Sequence, residues 1–129
     1  MLRKVARLVG PKRVELLEEE VKVNEGEVLV ETFQSSICGT DKNLYMGLLP
    51  PGYNYPVSYF GHEGGGTVVD CGKRTSKFKA GDKVISFGAK PTFSTYFAAK
   101  EEDLHHAPEG MDMSLACLGE PVGCIVYSI

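Results

Sequence analysis

Hydrophobic and polar residues alternate along most of the first hundred positions, in runs short enough for strands. "KVARLV", "RVELLEEEV", "EVLVETFQSSI", "GTVVDCG", "DKVISFG" and "TFSTYFAAK" are rich in β-branched and aromatic residues and predict a series of strands. Turn formers separate them, among them "VGPKR", "VNEGE", "CGKRTSKFKAGD" and "GAKP". Many short strands punctuated by Gly and Pro predict a mainly β chain, a small antiparallel barrel or sandwich. Two stretches break the alternation. "CGTDKNLYMG" predicts one helical turn or two, with Thr40 or Asp41 able to cap it and Gly47 able to end it. After "APEG", the stretch "MDMSLACLGEPVGCIVYSI" predicts a short helix capped by Asp112 or Ser114 and a break at "GEP". A second helix then opens with Pro121 in its first turn. Its pattern stays apolar to Ile129 without a stop signal, so the chain is expected to be part of a longer protein, with one domain over residues 1–129.

Length and charge narrow the classes. At 129 residues the chain is long enough for one hydrophobic core. With a net charge of −3 and its basic residues scattered among acids, nucleic acid is not an expected partner. No apolar run approaches the roughly 20 residues that span a bilayer, so no membrane association is expected. The first twenty residues carry charges throughout and lack the apolar stretch of a signal peptide, which makes a cytoplasmic location the default expectation. Cys38, Cys71, Cys117 and Cys124 have no C-x-x-C spacing. They read as free thiols, or as one metal ligand and three bystanders.

Four residues could carry chemistry together: Cys38, His62, Glu63 and Glu120. Thiolate, imidazole and carboxylate suit zinc, and catalytic zinc sites use three protein ligands and an exchangeable position. Each of the four falls at a boundary between elements, where strand and helix ends can converge. Taken singly, Cys38 reads as a small buried residue and "HE" as a surface pair. Gly64, Gly65 and Gly66 directly follow, and they fit either a tight bulge in a barrel strand or something large passing close to the backbone.

"SSICGTD", "FGHEGGGTVVDCG", "FKAGDKVI" and "LGEPVGC", in that order, resemble the N-terminal domain of the zinc-dependent medium-chain alcohol and polyol dehydrogenases. The likeness is nearest to the sorbitol and threonine dehydrogenase branch and covers essentially the whole chain. It implies a GroES-like antiparallel β-barrel with short helices, ending at the start of a helix that links to a Rossmann domain. It also implies one catalytic Zn2+ held by Cys38, His62 and Glu120, with Glu63 binding directly or trading places with water. Asp41 matches the aspartate that orients the ligating histidine, and Thr40 the hydroxyl that relays the alcohol proton. The resemblance implies NAD or NADP, a small alcohol, polyol or sugar substrate, and a homo-oligomer as the intact enzyme.

Two departures qualify the likeness. Relatives with a structural zinc carry four close cysteines in the interval that here reads "AKPTF", so no structural zinc is expected. No strand–G-x-G-x-x-G–helix unit exists in these residues. The cofactor domain is therefore expected outside them, and the chain alone is expected not to oxidise alcohols. His105 and His106 are expected to face solvent or pack, and Tyr45 is open to either a substrate-facing or a packing role. The competing reading is a non-catalytic GroES-like barrel serving as a binding or assembly module.

Overall fold

The computed structural model describes residues 1–129. Strands β1 (Leu2–Gly10) and β2 (Arg13–Glu20) pair as an antiparallel hairpin. The remaining strands are β3 (Glu27–Ser36), β4 (Glu63–Cys71), β5 (Lys83–Ser86), β6 (Tyr96–Lys100) and β7 (Leu104–His106). They form one antiparallel sheet in the order β6-β3-β4-β5-β7, which curls into a half-barrel. The hairpin attaches to it through bridges Val5↔Ser94 and Leu8↔Val57. Helix α1 (Gly39–Tyr45) follows β3, and α2 (Gly119–Tyr127) follows a 3-10 turn over Met113–Leu118. The mainly β reading holds, with two short helices. No helix is long and apolar enough to cross a membrane.

Period-two alternation sorts the side chains. In β5, Val84 joins the barrel interior with Val28, Val30, Val68, Phe97 and Leu104, while its neighbour Ile85 points the other way, onto Met113 and Ala116 of the 3-10 turn. A third cluster, Leu8, Leu44, Val57 and Phe60, joins the hairpin to α1. Glu19 reinforces the hairpin by accepting from both Arg3 and Arg7.

Strands β3 and β4 pair with two register slips. Leu29 faces Asp70 but Val30 faces Val68, so Val69 is one residue surplus on β4. Thr32 faces Gly66 but Gln34 faces Gly65, so Phe33 is surplus on β3. Both are one-residue bulges that sharpen the curl, and the second restores the register that the first shifts. Ser36 consequently stands opposite Glu63.

Both helix starts differ in detail from the sequence reading. Cys38 is the residue preceding α1, and Asp41 sits inside the first turn, accepting the Cys38 N–H at 2.9 Å. Neither Thr40 nor Asp41 holds the cap position, because Asp41 serves from three residues further on. Gly47 follows the helix with φ +94°, as expected of a terminating glycine. At the other end, Asp112 caps the 3-10 turn by accepting from the Ser114 N–H at 2.9 Å. "GEP" is not a break: α2 starts at Gly119, directly after that turn, with Pro121 in its first turn, where the missing N–H leaves nothing unpaired.

Candidate metal centre

Three elements deliver the site. Cys38 ends the connection from β3 to α1, His62 lies just before β4, and Glu63 is the first residue of β4. Their ligand atoms, Cys38 Sγ, a His62 ring nitrogen and a Glu63 carboxylate oxygen, all lie within 4.8 Å of one another. Glu63 is buried, while Cys38 and His62 are half-buried. A buried carboxylate without a partner is costly, and Ser36 supplies one by donating its hydroxyl to Glu63 Oε2. The same hydroxyl lies 3.3 Å from the Cys117 carbonyl, so the β3 end, β4 and the 3-10 turn meet behind the carboxylate.

Asp41 stands behind His62. Its carboxylate is 1% exposed and accepts the N–H groups of Cys38 at 2.9 Å and Gly61 at 3.1 Å. Its Oδ1 lies 3.7 Å from His62 Nδ1, a carboxylate standing behind the imidazole. Burial alone would raise the Asp41 carboxyl, yet His62 and the two backbone donors outweigh it and hold the group below its ordinary value. The same contact raises His62 to about 9, with Asp41 the largest cause and burial pulling the other way. Gly61 permits this arrangement: it turns at φ +85°, and a Cβ there would lie 2.6 Å from the Phe93 ring.

The glycine triplet that follows serves packing inside the fold. A Cβ on Gly64 would meet Thr92 at 2.8 Å, on Gly65 the Ala116 Cβ at 2.5 Å, and on Gly66 the Glu31 carbonyl at 1.9 Å. The backbone approaching β4 is thus its own partner strand at the Phe33 bulge, together with the 3-10 turn. Of the two sequence readings, the tight bulge describes what the triplet touches.

The structure does not bring every candidate to one point. Glu120 lies in the first turn of α2, outside the group of three, and its Oε1 is 3.4 Å from the thiol of Cys124 one helical turn later. That thiol is raised from its ordinary value chiefly by Glu120. Glu63, at the first position of β4, is the carboxylate that joins Cys38 and His62. Thr40 Oγ1 lies 3.9 Å from Cys38 Sγ, at the exposed edge. Tyr45 lines an apolar cleft of about 540 Å3 with Val14, Ile37, Phe60 and Phe93. That cleft shares Asp41 with the site but is not lined by Cys38, His62 or Glu63.

His105 and His106 are exposed and pack edgewise or tilted against Phe87 and Phe78, as expected. Sequence reasoning missed Ser36 and Gly61. "SSI" offered no signal for Ser36, whereas the glycine directly before "HE" marked a position needing an unusual backbone.

The donor set fits zinc: one thiolate, one imidazole with a carboxylate behind it, and one carboxylate held by a hydroxyl. Known proteins share the frame. Residues 24–119 match the family described as the alcohol dehydrogenase GroES-like domain. A sorbitol dehydrogenase of Halalkalibacterium halodurans is 28% identical over 131 residues, covering 80% of this chain and 37% of that protein. An L-threonine 3-dehydrogenase of Protochlamydia amoebophila is 25% identical, covering 82% of this chain and 39% of its own length. The crystal structure of 2R,3R-butanediol dehydrogenase from Bacillus subtilis superposes with a TM-score of 0.85 at 25% identity, covering 98% of this chain and 46% of that one. The chain thus spans less than half the length of these relatives.

Proposed function

Since the chain belongs to the alcohol dehydrogenase GroES-like domain family, we propose that it is the metal- and substrate-binding domain of a zinc-dependent, NAD(P)-linked dehydrogenase of alcohols, polyols or sugars. The observation that carries this is the group Cys38, His62 and Glu63 with Asp41 buried behind the imidazole. A structural barrel has no need of three converging donors and an orienting carboxylate.

Zinc held by Cys38, His62 and Glu63 would supply Lewis acidity, lowering the pKa of a substrate hydroxyl. The remaining roles belong to the chain. Asp41 fixes the His62 ring and tautomer, so one nitrogen is presented to the ion without rearrangement. Ser36 holds the Glu63 carboxylate at the strand start. Thr40, at the solvent edge beside Cys38, is placed to take the hydroxyl proton and pass it outward. The hydride acceptor, a nicotinamide, requires a phosphate-binding turn that these residues do not contain.

The test is metal analysis of the purified chain with its Cys38→Ser variant. Near-stoichiometric zinc in the parent, lost in C38S, supports the reading. Equal zinc content in the two would favour the non-catalytic binding module.

A further inference from the structure

The cleft of about 540 Å3 beside α1 lies within the size range of small-molecule pockets, and none of the roles assigned above uses it. Its aromatic wall is preformed. Phe60 and Phe93 meet edge to face, with ring centroids 5.0 Å apart and planes at 79°. Gly61 locks the second ring, since a Cβ there would lie 2.6 Å from Phe93 Cγ. Val14 and Ile37 add aliphatic walls. Both are open to water, 44% and 77% exposed, so an apolar occupant that covers them gains from burial.

Four polar side chains border the cleft, and two of them are already engaged. Ser35 Oγ lies 2.8 Å from the Glu63 carbonyl and 2.7 Å from Thr92 Oγ1. The Asp41 carboxylate is 1% exposed and taken up by Cys38, Gly61 and His62. Lys42 and Tyr45 differ: no carboxylate pairs with the Lys42 ammonium, and no group of the chain bonds the Tyr45 hydroxyl. Both residues are exposed, and their spacing of three on α1 puts them on one helix face. Two free donors, one of them cationic, at the edge of an aromatic cleft suit an apolar body with a single anionic acceptor. A polyhydroxylated ligand would leave its hydroxyls unpaired against Phe60 and Phe93. We propose that the cleft is a binding site for a small aromatic carboxylate, separate from the metal centre. The ring lies against Phe60 and Phe93, and the carboxylate accepts from Lys42 and Tyr45. The site uses no metal and stands apart from the zinc reading.

The test is titration calorimetry of the full chain with cinnamate and its neutral counterpart cinnamamide, in the presence of EDTA and again with zinc. Cinnamate is expected to bind at one site per chain, equally under both conditions, and more tightly than cinnamamide. Lys42→Met should weaken cinnamate about tenfold and leave cinnamamide unchanged, because only the carboxylate loses a charged partner. Tyr45→Phe should weaken cinnamate about threefold. Val14→Trp, at an exposed strand position, fills the cleft and should abolish binding of both compounds while the urea midpoint stays near the parent's. No saturable binding of cinnamate, equal affinity for the two compounds, or parental binding in Lys42→Met or Val14→Trp would overturn the inference. Binding of cinnamate only when zinc is present would place it on the metal centre and overturn the inference too. Failure of the chain to take up zinc would remove the zinc reading and leave this site standing.

Discussion

The two sides of the site are held in opposite ways. On the barrel side, Glu63 and Asp41 are buried, every carboxylate has a donor, and the supporting strands pair on both edges. On the helix side, α2 has no buried residue, and Val122, Ile125, Val126 and Tyr127 are more than half exposed. The converging groups of the first side are held by packing and hydrogen bonds. The second side rests on the close contacts of Gly119 with Ile85 and of Gly123 with Phe87. The difference teaches that a constellation at the ends of strands inherits the rigidity of the sheet, while a helix lying on the rim contributes groups that can move.

The comparison breaks most visibly at Gly66. Adding a methyl there drives it against the Glu31 carbonyl, backbone that cannot step aside. Gly66→Ala is expected to cost more than about 3 kcal/mol, beyond the usual range for overpacking, and to show as loss of a cooperative urea transition. Next in size is Asp41→Asn, which keeps the shape but removes the charge behind His62. Zinc affinity should fall about 10–100-fold by chelator competition, and an unchanged affinity would take Asp41 out of the site's support.

A smaller effect separates the hairpin from both. Burial would raise the Glu19 carboxyl, but Arg3 and Arg7 hold it below its ordinary value. Its ion pairs thus stabilise the fold at neutral pH, and that contribution is lost as pH falls through the lowered folded value. The residue is partly exposed, so the loss should stay under about 1 kcal/mol. Urea midpoints of parent and Glu19→Gln should converge as the pH drops toward the acid limit. Smallest of all is Val126→Ala on the open side of α2, expected to shift stability by no more than about 0.5 kcal/mol. A larger shift would mean that α2 is held as firmly as the strands.

Much of this was legible in the chain. Alternation gave the strands because one face of the sheet is buried, and Val84 and Ile85 fall to opposite faces as their spacing requires. "CGTD" and "GHE" carry Cys38, Asp41, His62 and Glu63, which the fold brings close together. What stayed hidden depends on long-range pairing. Ser36 meets Glu63 only through strand register, and Glu120 stands apart from the group of three on a helix whose placement rests on contacts with Ile85 and Phe87. Neither relation leaves a local mark in the sequence.

The two bulges have a consequence for how this strand pair tolerates changes of length. From Val28 to Ser36 and from Glu63 to Cys71 the strands are equally long, yet each holds one residue that faces no partner, Phe33 on one and Val69 on the other. Loss of either residue would straighten the ladder locally while every other pair kept its partner, Ser36 with Glu63 included. Loss of a neighbour such as Gln34 would force Phe33 into its place opposite Gly65. Single-residue deletions along these two strands should therefore be survivable at positions 33 and 69 and damaging at the positions between a bulge and the strand end.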